Sequence, residues 1–154
     1  MVRALAIVAL SLKIAHGCSC QEGDPQYKKA NADVVFRGTI TALRDSEKPP
    51  SLSEQIGMAK RYKIAVFNVT RVWKGRVGQT FEMPAIEETS LCTGFWPPLL
   101  KVGSDLLVYA NRGSDSEYYT SICGRHKPAK EAIVERRELG LGEEPRQMKQ
   151  LDSK

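Results

Sequence analysis

The residues able to do chemistry are few and concentrate in one tripeptide, Cys18-Ser19-Cys20. Thiols one residue apart bond each other only through a strained ring, so each is expected to reach one of the two distant cysteines, Cys92 and Cys123. Two such bridges would hold an extended tripeptide flat against a domain. The loops they close are about 70 to 100 residues long, for which the chain-entropy account gives roughly 4 to 5 kcal/mol each. A simple staple against fraying of a terminus is the plainer use of the same bonds. A four-thiolate zinc site is disfavoured, because Cys92 and Cys123 lack the paired spacing of structural zinc modules.

Other chemistry is sparse. His16 lies in the N-terminal apolar segment, so a Cys/His or Ser/His/Asp mechanism would rest on His126 alone, beside a basic turn where solvation is expected. No catalytic residues and no cofactor of its own are therefore expected. Glu87-Glu88 read as surface charge that could meet a partner's rim. Trp73, Phe95 and Trp96 read as packing rather than as base-stacking platforms. Asn68-Val69-Thr70 is a glycosylation sequon, usable in a eukaryotic secretory pathway if Asn68 faces outward.

The compartment follows from residues 1–17. Arg3, an apolar run from Ala4 to Leu12, and Ala15-His16-Gly17 with small residues at its first and third positions have the form of a signal peptide, which implies a secreted protein, or a periplasmic one in a Gram-negative cell. Cleavage after Gly17 removes Arg3 and Lys13 and lowers the formal charge from +5 to +3. That balance does not point to nucleic acid, which asks for a strongly basic face. With 42% hydrophobic and 27% charged residues in 154, the chain suits one globular domain, and no stretch has the length of a membrane span.

The elements that must position the tripeptide are mostly strands. Asp24-Pro25 predicts a short helix over 26–32, with Asp24 as cap. Strands are predicted over 34–42, with Gly38 as a bulge or sharp bend, over 62–73, over 79–83 with Pro84 as its stop, over 105–110 and over 118–122. Residues 44–60 form a long exposed loop. A helix is predicted over 129–139, between Pro128 and Gly140. Five strands with short turns suggest a small closed barrel, the simplest way to leave no long unprotected edge. The domain should span 18–141, with 142–154 a flexible tail.

Four segments in this order carry a resemblance: the start Cys18-Ser19-Cys20, the run Asn31-Ala32-Asp33-Val34-Val35-Phe36-Arg37, the loop Ser90-Leu91-Cys92, and Tyr118 to Cys123. With the strand that ends in Trp73-Lys74-Gly75, they make the chain resemble the N-terminal inhibitory domain of the tissue inhibitors of metalloproteinases, a netrin-like module, as a single-domain relative. The resemblance implies a mainly β, OB-like, five-stranded closed barrel with a short N-terminal and a C-terminal helix. It also implies two disulfides, Cys18 to Cys92 and Cys20 to Cys123. The function it implies is inhibition of a zinc metalloprotease: the free amine and carbonyl of Cys18 chelate the protease's zinc, and Ser19 enters its specificity pocket. Cys20, Gln21, Ser90 and Leu91 complete the inhibitory ridge. The implied partner is that protease alone, with no nucleic acid and no membrane span, and the protein a monomer. The chain departs from the family in having Ala30 where a third bridge would begin, and Glu22-Gly23 where proline is usual. A netrin-like module that binds an extracellular partner without touching a metal is the alternative.

Overall fold

A computed structural model describes residues 23–46, 63–86, 92–123 and 125–147. Among them the order is α1 (Pro25–Ala30), β1 (Val34–Asp45), β2 (Lys63–Lys74), β3 (Thr80–Ala85), a 3-10 turn (Pro97–Leu99), β4 (Asp105–Arg112), β5 (Tyr118–Tyr119), β6 (His126–Pro128) and α2 (Ile133–Leu139). The signal peptide expected over 1–17 and most of the loop expected over 44–60 lie outside the described residues.

Helix α1 begins as the sequence predicts. The Asp24 carboxylate accepts from the Tyr27 amide at 2.7 Å, and Pro25 occupies the first turn, where its missing N–H costs nothing. Its far end is tied to the sheet by Lys74, whose ammonium donates to the carbonyls of Lys29 and Ala30 at 3.0 and 2.8 Å. Asp33 then fixes the start of β1: its amide donates to Ala110 O, and its carboxylate accepts from Arg112 N. Gly75 ends β2 with φ +82°, and a Cβ there would lie 2.6 Å from Asp33 O, so only glycine lets the two chain segments meet.

All the strand pairs are antiparallel, in the order β3-β2-β1-β4-β5, with β6 on the same edge of β4 as β5. β5 pairs with Asn111 and Arg112, and β6 with Leu106 to Val108. The expected closed barrel is not formed: the sheet curls but stays open. Phe81 of β3 and Tyr118 of β5 approach with ring centroids 5.3 Å apart, yet no backbone ladder joins β3 to β5 among the described residues. The fifth strand, expected over 118–122, stops at Tyr119 because the chain beyond it pairs elsewhere. Thr120 O accepts from Gly94 N at 2.9 Å, and Ser121 bridges to Thr93. Pro84 does not stop β3 but lies within it, opposite Ile64, which an edge strand tolerates.

The β1–β2 register shifts between Arg37 and Gly38, where Gly38 was expected to bulge, and again on either side. These shifts decide the cores. Alternation alone would place Trp73 with Ala65, Phe67 and Val69, but Val72 takes that face instead. Trp73 is turned to the opposite side, as expected of a bulged strand. The inner core holds Phe36, Ile40, Phe67, Met83, Phe95, Leu106 and Val108, with Phe36 edge-on to Phe67 at 5.3 Å. A second layer, Val35, Leu107 and Tyr109 with Ala32, Ala132 and Leu139, is roofed by the helices. There Tyr109 donates its hydroxyl to the buried Glu135 at 3.0 Å, and Lys127 and Lys28 flank the same carboxylate. Burial, then the charge of Glu135, pushes the Tyr109 pKa far up, so the phenol stays protonated as the donor.

Residues 142–147, expected to belong to a flexible tail, are docked. Glu143 exchanges both backbone hydrogen bonds with Val72, at 2.7 and 2.8 Å, and Arg146 N donates to Val77 O at 3.2 Å. Each such bond contributes on the order of 1 kcal/mol net, less the ordering of the strap. A chain ending at Gly142 should therefore unfold about 1 to 3 kcal/mol more easily than one ending at Gln147 in urea titrations. Equal midpoints would make residues 143–147 a passive tail after all.

Candidate functional site

Cys18, Ser19, Cys20, Gln21, Ser90 and Leu91 lie outside the described residues, as do Glu87 and Glu88. The described part of the expected site is a frame of residues 92–96, 120–123, 125 and 126. No disulfide joins two described residues, while Cys92 and Cys123 are each disulfide-bonded and no described cysteine is a free thiol.

One hydroxyl organises the frame. Ser121 Oγ donates to the Cys92 carbonyl at 2.6 Å and accepts from the Cys123 amide at 3.2 Å, so it links the backbones of the two half-cystines. Ile122 N donates to the same Cys92 carbonyl at 3.1 Å. Cys92 adopts φ +59°, a conformation that costs a non-glycine residue on the order of 1 kcal/mol or more and persists only where its surroundings impose it. Gly94 follows with φ +110°, and a Cβ on it would lie 2.4 Å from Ile86 O. The carbonyl of Ile86 accepts from Phe95 N at 3.0 Å, which ties the segment to the end of β3. A cleft of about 290 Å³ opens beside Cys123, lined among others by Thr93, Asn111, Tyr119 and Ser121.

His126 locks this frame to the sheet from behind. It is buried, 6% exposed, and not solvated as its basic neighbours suggested. Its Nε2 accepts from Trp96 N at 2.8 Å, which places the single proton of the neutral ring on Nδ1, 3.4 Å from Thr120 Oγ1. Thr120 donates on to Tyr109 O at 3.0 Å. Phe95 packs on the imidazole with centroids 5.0 Å apart. Desolvation lowers the His126 pKa to about 4, against a smaller opposing effect of a hydrogen bond from the ring to the Ser121 backbone. The ring is a neutral brace, and nothing in its contacts is arranged for proton transfer. Sequence reading missed it because a histidine between Arg125 and Lys127 carries no signal of burial.

Phe95 is fully buried and Trp73 partly so, as packing residues, while Trp96 is half exposed. Asn68 is exposed on β2, between Thr39 of β1 and Thr80 of β3. Among the described residues, no group of three or more His, Cys, Asp or Glu side chains is placed to hold a metal ion, and no helix is long and apolar enough to cross a membrane.

The brace has a pH signature. A histidine whose folded pKa is depressed stays neutral in the fold and charges more readily in the unfolded chain, so its contribution is complete above pH 6.5. It is lost as pH falls from there towards 4. Between pH 7 and 5 the folded state should lose about 2 kcal/mol through His126 alone. The His126→Gln variant, less stable at pH 7, should lack that slope in denaturant titrations across the same interval. Parallel pH profiles for the two proteins would mean that the imidazole is not held neutral.

No protein-family model matches the chain, and no characterised protein matches it significantly. The resemblance therefore rests on the quoted sequence segments alone.

Proposed function

We propose that the protein is a secreted inhibitor of zinc metalloproteases, a monomeric netrin-like domain whose N-terminal Cys18 chelates the target's active-site zinc. The observation that carries the reading is the pairing of Cys92 and Cys123 through the Ser121 hydroxyl. Two half-cystines held by one side chain are what a Cys-x-Cys terminus needs if both its thiols are to be bridged at one place. In this reading the bridges are Cys18 to Cys92 and Cys20 to Cys123.

The chemistry asks little of the inhibitor beyond rigidity. With Cys18 first, its α-amine, of ordinary pKa about 7.7 to 8.0, loses its proton to coordinate, and the metal favours that loss. Amine and carbonyl occupy the zinc positions that an activated water would need, so hydrolysis stops without any group of the inhibitor reacting. Ser19 fills the specificity pocket, and Cys20, Gln21, Ser90 and Leu91 extend the contact as a ridge. Preorganisation by two bridges removes the ordering cost that a free peptide would incur on binding. The ridge here has Glu22-Gly23 and no third bridge, so it is looser than in the family it resembles.

The bond pattern is tested by thiol titration and peptide mapping of the secreted protein, which should give no free thiol and the two stated linkages. A Cys92 to Cys123 bond would remove the ridge. The chemistry is tested by adding one alanine before Cys18, which keeps the disulfides but turns the coordinating amine into an amide. That form should melt with the mature protein yet lose at least two orders of magnitude of inhibition against a zinc metalloprotease panel, about 2.7 kcal/mol. Equal inhibition by both forms, or none by the mature protein across the panel, would leave a netrin-like module that binds its partner without a metal.

A further inference from the structure

A groove of about 680 Å³ runs between β2 and α2 on the outer face, and it shares no lining residue with the cleft at Cys123. That volume is in the range of ligand sites. Four arginines line it, Arg37 and Arg71 from the sheet and Arg136 and Arg137 from the last turn of α2. Only Arg37 has an acid: Asp105 holds it in a two-pronged contact at 2.6 to 3.1 Å. Among the described residues, Arg71, Arg136 and Arg137 have no carboxylate partner. Of the two acids on the same helix, Glu135 is taken up by Tyr109, Lys28 and Lys127, and Glu138 makes no ion pair with Arg136 or Arg137.

Arg136 carries the sharpest anomaly. Its Nε is buried without a hydrogen-bond partner, where buried donors are nearly always paired. The helix dipole accounts for cations in the last turn of α2, but it accounts neither for Arg71 on β2 nor for that orphaned donor. Apolar surface lies in the same groove: Ile133 is 55% and Leu141 93% exposed, beside the edge of Trp73. The indole is fixed there by its N–H, which donates to Gly140 O at 2.8 Å.

We propose that this groove docks an acidic peptide segment of a partner protein, one that carries carboxylates next to apolar side chains. The arginines meet the carboxylates as paired forks, and Leu141, Ile133 and Trp73 cover the apolar side chains. A sulfated glycan would satisfy the charge but offers nothing to cover Leu141 and Ile133. The docking is independent of zinc chelation, so the same molecule could be held at one surface while it inhibits through another.

The test uses the mature protein carrying Trp96→Phe, which leaves Trp73 as the single tryptophan and keeps the backbone N–H that His126 needs. Titration with the end-capped peptide Glu-Glu-Leu-Glu-Phe-Glu should shift the emission of Trp73, and its Gln-for-Glu analogue should not bind. Arg71→Glu combined with Arg137→Glu should weaken binding at least about tenfold with an unchanged melting curve, and Leu141→Ser should weaken it several-fold. Arg136→Met separates docking from structure. If the orphaned donor is kept for a ligand, this variant should melt higher and bind more weakly, whereas a purely structural Arg136 would make it melt lower. The proposal is overturned if the peptide fails to bind at millimolar concentration, if the Gln analogue binds equally, or if the arginine and leucine variants bind like the parent. It is equally overturned if a heparin oligosaccharide or phosphatidylserine vesicles shift Trp73 while the peptide does not. None of these outcomes depends on protease inhibition, which is measured through the N-terminus.

Discussion

Strand β4 and the first three residues of β1 are buried on both faces, and the rest of the molecule follows from that constraint. Val34, Phe36 and Ile40 of β1 and Leu106, Val108 and Ala110 of β4 enter the inner core. Val35, Leu107 and Tyr109, the alternate residues, face outward and are just as dry. The inner face is closed by the curl of the sheet on itself. The outer face cannot be, so it needs a cover, and among the described residues two short helices provide it. Neither α1 nor α2 is long enough to be stable alone in water, so each is held by what it covers. The capping of α1 by Lys74 and the strap at Glu143 are the means.

Burying Tyr109 in that outer layer brings a hydroxyl that has to be satisfied. Glu135 answers it, and the carboxylate in turn requires Lys127 and Lys28. A charge buried in this way is retained at a desolvation cost, and the partners of this α2 carboxylate come from three other elements, α1, β4 and β6. The arrangement therefore acts as a registry device: the helices can meet the sheet in one position only. It also withholds Glu135 from Arg136 and Arg137, and Glu138, the other acid of α2, pairs with neither, so the arginines leave the outer groove basic.

Much of this was legible in the residues. The apolar runs of 34–42, 62–73 and 105–110 predicted their strands to within a few residues, Asp24-Pro25 predicted the first helix, and Gly38 marked a register shift whose extra residue, Thr70, lies on the facing strand β2. The failures share a cause, which is competition for backbone partners that no local pattern records. Tyr118 to Ile122 has the composition of a full strand, but Thr120 and Ser121 pair with Gly94 and Thr93, so β5 is two residues long and the barrel stays open. His126 to Pro128 looked like a basic turn and instead fills the place on β4 that a longer fifth strand would have taken. Trp73 changed faces because register shifts in β1 and β2 reset the period-2 alternation. Of the site, cysteine spacing singled out Cys92 and Cys123, whereas the Ser121 hydroxyl between them had no signal at all, since serines before a half-cystine are ordinary.

The frame at Cys92 and Cys123 also explains why the loss of barrel closure need not loosen the proposed ridge. A closed barrel would hold that edge through a continuous ladder. Here the same edge is held by side chains: Ser121 across the two half-cystines, Thr120 onto Tyr109, and the neutral imidazole of His126 onto Trp96. Side-chain bonds of this kind are directional and at least partly buried, and breaking one would leave a donor or acceptor poorly satisfied. The strained φ of Cys92 persists because these bonds over-determine it. Rigidity at the edge is thus achieved without closing the sheet, and β5 and β6 remain free to share one side of β4. An inhibitor that works by presenting a fixed terminus needs that rigidity at its half-cystines, and needs it nowhere else in the sheet.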